Sequence, residues 1–288
     1  MTASALEREG NFGSYVGWPQ VYSEPLVRII TLNCNGIRSA AKKGLFDWLP
    51  EQKADVLCLQ EIKAQMSDLE GDATFAPKGW HAHFNHAQKK GYAGTGLFSK
   101  RQPDQVLDRL GAAEFDDEGR YLELRFGTLS VVSLYLPSGS AGPERQASKD
   151  RFLAFFAPIL RDWAASGRDY VVCGDWNIAR TKLDLKNWRS NQKNSGFLPH
   201  ERAWMDTLLG SAEQPGPWVD GYRALHPTLE AEAYTWWSNR GNAYANNVGW
   251  RIDYQLVTPS LQGKIKAASV ARTPRFSDHA PLTLDYKL

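Results

Sequence analysis

The sequence has little cysteine and no long apolar run. Three cysteines, Cys34, Cys58 and Cys173, occur in 288 residues, and each lies in an apolar, strand-like stretch. A small, odd number argues against a disulfide framework and predicts buried free thiols in a reducing cytoplasm. No stretch approaches the roughly 18 apolar residues that a membrane-spanning helix needs. We therefore expect no membrane partner.

Residues 1–25 lack both parts of a secretory signal, a basic start and an apolar core. We interpret them as a polar N-terminal extension. No low-complexity linker and no strong repeat divides the rest of the chain, which predicts one domain over residues 26–288.

The chain also lacks a large charge of one sign. Its 34 Lys and Arg residues nearly balance 32 Asp and Glu residues, which leaves a formal net charge of +2. Any surface that binds a polyanion must then be a local patch. Apolar residues make up 42% of the chain and charged residues 23%, a composition that excludes disordered and collagen-like chains. The 11 tryptophans indicate a core or a recognition surface, because indoles need apolar cover and a partner for the N–H.

Short strand-like runs alternate with helical patterns along the chain, which predicts an α/β fold of mixed sheets covered by helices. The predicted strands are β-branched-rich runs bounded by Gly, Asn, Asp or Pro: residues 27–32, 55–59, 96–99, 121–126, 129–136, 169–172, 251–257 and 281–285. Helices are predicted over residues 44–51, 143–166 and 201–209, the last entered through Pro199. Several strand-like runs end in a polar residue, and strand ends at one rim of a sheet are where α/β proteins place their sites.

Glu61 ends the apolar run DVLCLQE, where a carboxylate needs a metal, a cation or a hydrogen-bond network. Its oxygens suit Mg²⁺, although an acid at a helix start, paired with Lys63, is an equal alternative. Asn33 and Asn35 follow the first strand, where Asn33 is a candidate donor to a phosphate oxygen. The same Asn-x-Asn-Gly pattern is also ordinary turn chemistry.

Asp175 and Asn177, in GDWN, lie two residues apart at a strand end and can point into one cleft. Asp175 is a candidate to deprotonate or orient a water that Asn177 holds. In SDHAP, His279 is a candidate donor to a phosphoryl oxygen if a carboxylate such as Asp253 holds it. Plain surface turns explain either motif taken alone.

Tyr135, in SLYLPSGS, is either a phenolic donor at a strand end or a core tyrosine. The triplet His81, His83 and His86 has spacing compatible with zinc. Because no cysteine is near and the residues alternate as in a strand, a solvated strand face is the favoured interpretation.

Taken in order, the motifs LNCNGIR, LQEIK, GYAGTGLFSK, SLYLPS, GDWNIA, LKNWRSNQKNSGF, YTWW, GWRIDY and SDHAPL resemble the exonuclease III family of apurinic/apyrimidinic (AP) endonucleases, in the endonuclease/exonuclease/phosphatase superfamily. The resemblance runs from about residue 27 to the C-terminus. It implies a four-layer α/β sandwich of the deoxyribonuclease-I-like type, with two mixed β-sheets packed face to face, helices outside and the site at one rim. It also implies a cytoplasmic, bacterial, nucleoid-associated monomer.

The implied reaction is hydrolysis of a DNA phosphodiester with Mg²⁺, for which Mn²⁺ substitutes. The resemblance assigns Glu61, Asn35 and Asp278 to the metal. Some family members have Asp in place of Asn35, which weakens this ligand. The catalytic set that it implies comprises Asp175, Asn177, His279, Asp253, Tyr135 and Asn33. Positioning and charge stabilisation of this kind are what phosphoryl transfer needs.

DNA contacts are expected from basic, amide, hydroxyl and aromatic side chains in the loops: Arg38, Lys42, Tyr92, Ser138, Arg180, Lys186, Asn191, Lys193, Asn194, Arg240 and Arg251. Trp236, Trp250 and Ile252 match the family's small apolar pocket for a flipped-out abasic sugar or a 3′ end. A baseless sugar is easy to extrude because little stacking is lost.

Three departures from the family pattern concern specificity. Ser138 replaces an amide that many members carry after the strand of Tyr135, Arg180 is a long cation at a variable position, and Trp236 is bulkier than the Phe often found there. Together they resemble a branch in which 3′-end trimming dominates. We therefore expect a 3′–5′ exodeoxyribonuclease and 3′-phosphodiesterase of base excision repair that acts at DNA 3′ ends and nicks.

Three alternatives remain. The first is an AP endonuclease with minor exonuclease activity, acting at abasic sites. An inositol-phosphate or sphingolipid phosphatase is disfavoured by the loop LKNWRSNQKNSGF. A non-catalytic DNA-binding relic is disfavoured because the full catalytic set is present.

Overall fold

The computed structural model describes residues 26–288. The predicted extension over residues 1–25 lies outside them, so the domain boundary at residue 26 stays a prediction. Fourteen strands are described: β1 Leu26–Asn33, β2 Val56–Gln60, β3 His81–Asn85, β4 Thr95–Ser99, β5 Gln105–Leu107, β6 Tyr121–Phe126, β7 Leu129–Tyr135, β8 Asp169–Asp175, β9 Val219–Asp220, β10 Trp236–Trp237, β11 Gly249–Trp250, β12 Asp253–Val257, β13 Ile265–Val270 and β14 Leu282–Lys287.

Seven α-helices lie between these strands: α1 Ile37–Lys42, α2 Leu45–Trp48, α3 Ala113–Asp116, α4 Pro143–Ala165, α5 Trp188–Asn191, α6 Pro199–Leu209 and α7 Gly221–Leu225. The helix expected over residues 44–51 is α2 followed by a 3₁₀ turn over Leu49–Gln52. Among the described helices, none has both the length and the apolar character needed to cross a bilayer.

Two six-stranded sheets form the centre of the fold. The first has the order β13-β14-β1-β2-β4-β3 and the second β5-β6-β7-β8-β12-β9, while β10 and β11 pair separately. Each sheet contains one parallel pair, β1 with β2 and β7 with β8, among antiparallel neighbours. The mixed sheets predicted from the sequence are therefore confirmed.

Alternation along the strands produces four layers, because successive side chains point to opposite faces of a sheet. Ile29 and Val171 lie in a core between the two sheets, whereas the next residues, Ile30 and Val172, point outward. The outer face of the first sheet is covered by α1 and α2 through Ile37 and other apolar residues. The second sheet is covered by α4 and α6. This is the predicted sandwich.

The predicted strands match described strands within three residues at each end. The sequence did not predict the edge strand β13, IKAASV, whose lysine, alanines and serine have weak strand preference. It also did not predict the short pairs that involve β5, β9, β10 and β11. The histidine segment forms β3, which pairs with β4. All three cysteines are free and buried.

Candidate active site

The ends of six strands meet at one rim of the sandwich. The carboxyl ends of the parallel strands β1 and β2 carry Asn33 and Glu61, and those of β7 and β8 carry Tyr135 and Asp175. Strands β12 and β14 run antiparallel to their neighbours, so their starts lie at the same rim. Asp253 opens β12, and Asp278 and His279 precede β14. The topology explains why residues so distant in sequence meet.

Asp175 is a buried carboxylate at this rim. It is 2% exposed, and it accepts hydrogen bonds from Asn33 Nδ2 at 2.9 Å and from the Asn177 backbone N–H at 2.8 Å. Gly174 precedes it, and a Cβ at Gly174 would lie 1.8 Å from the Leu134 carbonyl oxygen. Only glycine therefore allows β7 and β8 to approach as they do beside Asp175.

His279 lies between two aspartates. Its Nδ1 is 2.8 Å from Asp253 Oδ2, and its Nε2 is 3.8 Å from Asp175 Oδ2. Asp253 and Asp175 are direct partners in the β12–β8 ladder, and both are buried with the histidine. The structure therefore contains the predicted contact between Asp253 and His279.

The pKa values of Asp175 and His279 both rise. Burial raises the pKa of Asp175 to about 7, the nearby Asp253 adds to the rise, and His279 and the two hydrogen bonds oppose it. Burial alone would lower the pKa of His279, but the Asp253 and Asp175 carboxylates outweigh it and raise the pKa to about 10. The imidazole is therefore protonated at neutral pH, whereas Asp175 gains and loses its proton there.

Glu61 lines the same cleft as Asp175. The Tyr135 hydroxyl donates to Glu61 Oε1, and Lys63 Nζ lies 2.9 Å from Glu61 Oε2 and 2.6 Å from Asn35 Oδ1. Burial raises the pKa of Tyr135 well above its usual value, so the phenol remains a donor. Glu61 and Asn35 have left-handed backbone, with φ of 51° and 44°, which turns the chain just beyond the strand ends.

Asp278 lines the cleft beside Asn35. Its Oδ1 accepts from Asn35 Nδ2 at 2.8 Å, and its Oδ2 accepts from Trp236 Nε1 at 3.1 Å. Burial raises its pKa, but His279 and these two donors outweigh that effect, so the net pKa is lowered. Asp278 is thus a stable anion beside Asn35.

Two groups of residues have the chemistry of a cation site. Ligand atoms of Asp175, Asp253 and His279 lie within 4.8 Å of one another, but all three residues are buried and His279 Nδ1 already bonds Asp253. Glu61, Asn35 and Asp278 present oxygen donors to the open cleft. Their oxygens contact Tyr135, Lys63, Asn35 and Trp236, and the three residues still face the cleft. Hard oxygen ligands of this kind suit Mg²⁺, so the second group fits a divalent cation better.

These side chains line a cleft of about 900 Å³. Asp253 is the one predicted catalytic residue that does not line the cleft. It is buried and contacts His279. The predicted residues that line the cleft are Asn33, Asn35, Glu61, Tyr135, Ser138, Asp175, Asn177, Asn191, Lys193, Asn194, Trp236, Arg240, Trp250, Ile252, Asp278 and His279. Trp236 and Trp250 meet edge to face, with ring centroids 6.1 Å apart, and form an apolar wall with Ile252.

The prediction that Arg251 contacts DNA is wrong. Arg251 is 1% exposed and makes ion pairs of 2.7 Å with Asp184 and Asp220. Trp250 and Ile252 line the cleft, and extended chain alternates sides, so the residue between them points away from it. Its guanidinium is buried inside the protein and pairs with aspartates there.

Arg180 does not line the main cleft either. Its guanidinium pairs with Asp206 at 2.8 Å and donates to the Gly210 carbonyl, and it lines a separate cleft of about 300 Å³. These partners draw the side chain toward α6 and away from the main cleft, and the predicted DNA contact of Arg180 stays a prediction.

The other predicted DNA contacts outside the cleft stay predictions. Arg38 is exposed and 3.1 Å from Asp68, and Lys42 and Lys186 are exposed. The Tyr92 hydroxyl accepts from Arg120 at 3.0 Å and from Arg145.

Sequence reasoning missed several residues that support the site. Arg120 is buried and lies 4.7 Å from the Tyr135 ring centroid, and it donates to the Tyr135 carbonyl at 3.0 Å. Lys149 and Glu201 form a fully buried pair next to Asn177. Lys149, a charged residue within an apolar helix face, was a signal for a buried ion pair. Its partner Glu201 is too far away in sequence to be recognised from that signal.

Comparison with known proteins agrees with this geometry. A family model described as "Endonuclease/Exonuclease/phosphatase family" matches residues 30–279. The chain belongs to this family, in its exonuclease III and AP endonuclease group, and is a metal-dependent hydrolase of the nuclease type. The family predicted from the motifs is confirmed.

Three individual proteins illustrate the likeness. An exodeoxyribonuclease from Bacillus subtilis is 36% identical over 263 residues, which cover 90% of this chain and 98% of the relative. A DNA-(apurinic or apyrimidinic site) endonuclease from Dictyostelium discoideum is 35% identical, over 90% of this chain and 70% of the relative. The structure of a 3′-5′ exonuclease from Neisseria meningitidis has a TM-score of 0.80 at 27% identity, over 90% of this chain and 99% of the other.

Proposed function

We propose that the chain is a Mg²⁺-dependent DNA phosphodiesterase that trims 3′ ends, a 3′–5′ exodeoxyribonuclease and 3′-phosphodiesterase of base excision repair. The observation that carries this proposal is Asp175, a buried carboxylate with a pKa near neutrality, set between Asn33, Asn177 and a protonated His279. The named relatives, an exodeoxyribonuclease and a 3′-5′ exonuclease, support the substrate class.

In this mechanism a water molecule attacks the phosphorus while Asp175 takes its proton, and the bond to the leaving oxygen breaks. The second amide hydrogen of Asn33 donates to a phosphate oxygen. Tyr135 turns its single hydroxyl proton from Glu61 to the phosphate when DNA binds, and the imidazolium of His279 balances the charge that builds up on the phosphate oxygens. Asn177 orients the water. Bound Mg²⁺, held by Glu61 and Asp278 with Asn35, supplies further charge stabilisation, and Mn²⁺ has the same ligand preference.

The far wall of the cleft suits the DNA backbone. We use this name for the part of the cleft that is lined by Asn191, Lys193, Asn194 and Arg240. Their side chains can donate to phosphates but read no base sequence, which fits an enzyme that acts on ends of any sequence. Trp236, Trp250 and Ile252 form the pocket for the terminal sugar. We place this activity in a monomer in the bacterial cytoplasm.

AP endonuclease activity is the second candidate. The apolar wall of Trp236, Trp250 and Ile252 also suits a baseless sugar, which lacks stacking to lose on extrusion, and the Dictyostelium relative is named for that activity. Ser138 favours trimming over incision, because a short hydroxyl, engaged with Ser140 at 2.9 Å, reaches less far into the cleft than an amide.

Two gel assays in Mg²⁺ separate these candidates. One substrate is a duplex with a single internal abasic-site analogue, and the other is a nicked duplex with a blocked 3′ end. Shortening of the 3′ end without internal incision supports the proposal, whereas efficient incision at the abasic site makes the chain a repair endonuclease. No cleavage of either, with chelator and Mn²⁺ controls, contradicts both.

A further inference from the structure

A buried ion pair lies directly behind the cleft. Lys149, on α4, and Glu201, on α6, are both 0% exposed, and Lys149 Nζ is 2.6 Å from Glu201 Oε1. A buried ion pair stabilises little unless further hydrogen bonds satisfy both groups. The additional bonds of this pair lead to two different parts of the active site.

The first bond of Lys149 beyond the pair goes to the catalytic loop. Its ammonium donates to the Asn177 carbonyl at 2.8 Å. Asn177 has left-handed backbone, with φ of 51°, its N–H bonds Asp175, and its side-chain amide donates to the Leu136 carbonyl at 2.9 Å. Lys149 thus holds the carbonyl of Asn177, while Asp175 and Leu136 hold its N–H and its side chain.

The other oxygen of Glu201 holds the loop on the far wall of the cleft. Glu201 Oε2 accepts from the Gly196 N–H at 2.7 Å and the Leu198 N–H at 3.0 Å. These residues end the segment 191–198, whose side chains Asn191, Lys193 and Asn194 line the cleft. The Ala179 N–H also donates to the Gly196 carbonyl at 2.7 Å. The loop that carries Asn177 is therefore hydrogen-bonded directly to the segment 191–198.

We propose that Lys149 and Glu201 are positioning residues that couple the catalytic amide to the DNA-gripping loop. Lys149 sets the Asn177 peptide, and Glu201 sets the segment 191–198. Neither group lines the cleft, so each acts through the loop that it holds. The kinetic part of this inference rests on the proposed function, while its structural part does not.

The test uses Glu201→Gln, the double variant Lys149→Met with Glu201→Gln, and Arg28→Met as a matched control. Lys149→Met alone would leave a buried carboxylate without its cation, whereas the double variant removes both charges and is expected to fold. Arg28 pairs with Asp285 at 2.7 Å at the opposite end of β1, so its loss perturbs an ion pair remote from the cleft.

For the double variant we expect kcat for 3′-end trimming to fall at least about tenfold, since a misplacement of about 1 Å can lower a rate by about 10²-fold. Glu201→Gln alone leaves the Lys149 ammonium buried without its carboxylate, so its free energy of unfolding is measured beside its kinetics. In the folded variant we expect KM for DNA to rise more than kcat falls, because the loop is weakened while Lys149 keeps its hydrogen bond to the Asn177 carbonyl. Arg28→Met is expected to keep both constants. A double variant that melts normally and keeps the wild-type kcat would overturn the proposal.

Amide hydrogen exchange of residues 176–179 is followed in the same proteins. Faster exchange in the double variant, with no change in Arg28→Met, supports the positioning role even if the wild-type chain cuts no DNA. In that outcome the proposed function fails and the inference stands. Unchanged exchange together with an unchanged kcat means that the pair only fills the core.

Discussion

Asp184 and Asp175 are the same residue type at nearly the same depth, and the fold uses them in opposite ways. Asp184 lies 2.7 Å from Arg251 Nε and 2.6 Å from Arg223 Nη2. Burial by itself raises its pKa, but the two guanidinium groups outweigh burial and lower it to about 2. Asp175 faces no arginine within ion-pair distance among the described residues, and its pKa rises to about 7.

The comparison shows how a fold separates structural from chemical charge. An aspartate with two fixed cations is permanently ionised and holds elements together. An aspartate with amide donors, one imidazolium and a neighbouring carboxylate can exchange a proton near neutral pH, which a general base must do. The partners, rather than the burial, decide the role.

The largest expected effect is on chemistry at Asp175. Asp175→Asn removes the proton acceptor and should lower kcat by at least about 10²-fold, in line with general-base contributions. DNA affinity, measured by fluorescence anisotropy in chelator, should survive because the loops on the far wall are untouched. Wild-type turnover in this variant would mean that another residue positions the water.

Asp184→Asn tests the structural side. It leaves Arg251 and Arg223 without their shared carboxylate, and breaking a buried pair in this way is expected to lower the free energy of unfolding by about 3 kcal/mol. Urea unfolding measures this loss, and kcat of the folded protein should remain near wild type. A large fall in kcat with unchanged stability would erase the distinction between the two aspartates.

The pH dependence of stability should differ in sign for the two residues. Asp175 binds its proton more tightly in the folded state, so it makes stability fall as pH rises from about 4 to 7, with a slope of at most about 1.4 kcal/mol per pH unit. His279, Asp253 and Lys149 are the charged groups that face it. Asp184 does the reverse, and stability falls as pH drops from about 4 to 2.

Unfolding titrations of wild type and Asp175→Asn check this slope. The difference between the two curves should slope between pH 4 and 7 because of Asp175, and should be constant below pH 4. His279 contributes in another window, because its stabilisation is present below pH 6.5 and is lost as pH rises toward 10. A difference curve that is flat between pH 4 and 7 would mean that Asp175 titrates as an ordinary aspartate.

The smallest effect concerns specificity. Ser138→Asn restores an amide at the cleft and should raise abasic-site incision relative to 3′-end trimming severalfold, on the scale of one hydrogen bond. Arg180→Ala is the matched variant outside the cleft, and we expect its ratio of activities to match wild type. Gel assays with both substrates measure the ratios, and equal ratios in all three proteins would place the specificity elsewhere.

Much of the site follows from the sequence because strand ends are recognisable. Glu61, Asp175 and His279 each stand beside an apolar run, and the topology brings these runs to one rim. Arg251 shows where motif reading failed, since alternation of the chain around it already pointed its side chain inward. The Lys149–Glu201 pair was not predictable, because its two residues meet only through the packing of α4 on α6.

The bonds that close the site run from one sheet to the other. Asn33 to Asp175, Glu61 to Tyr135 and His279 to Asp253 each join the first sheet or its loops to the second. Neither sheet alone carries all the residues of the active site. Catalytic activity therefore reports on the packing of one sheet against the other. A folding intermediate in which both sheets have formed but have not yet packed together would be inactive. The rate at which activity returns on refolding would then measure the rate of that packing step.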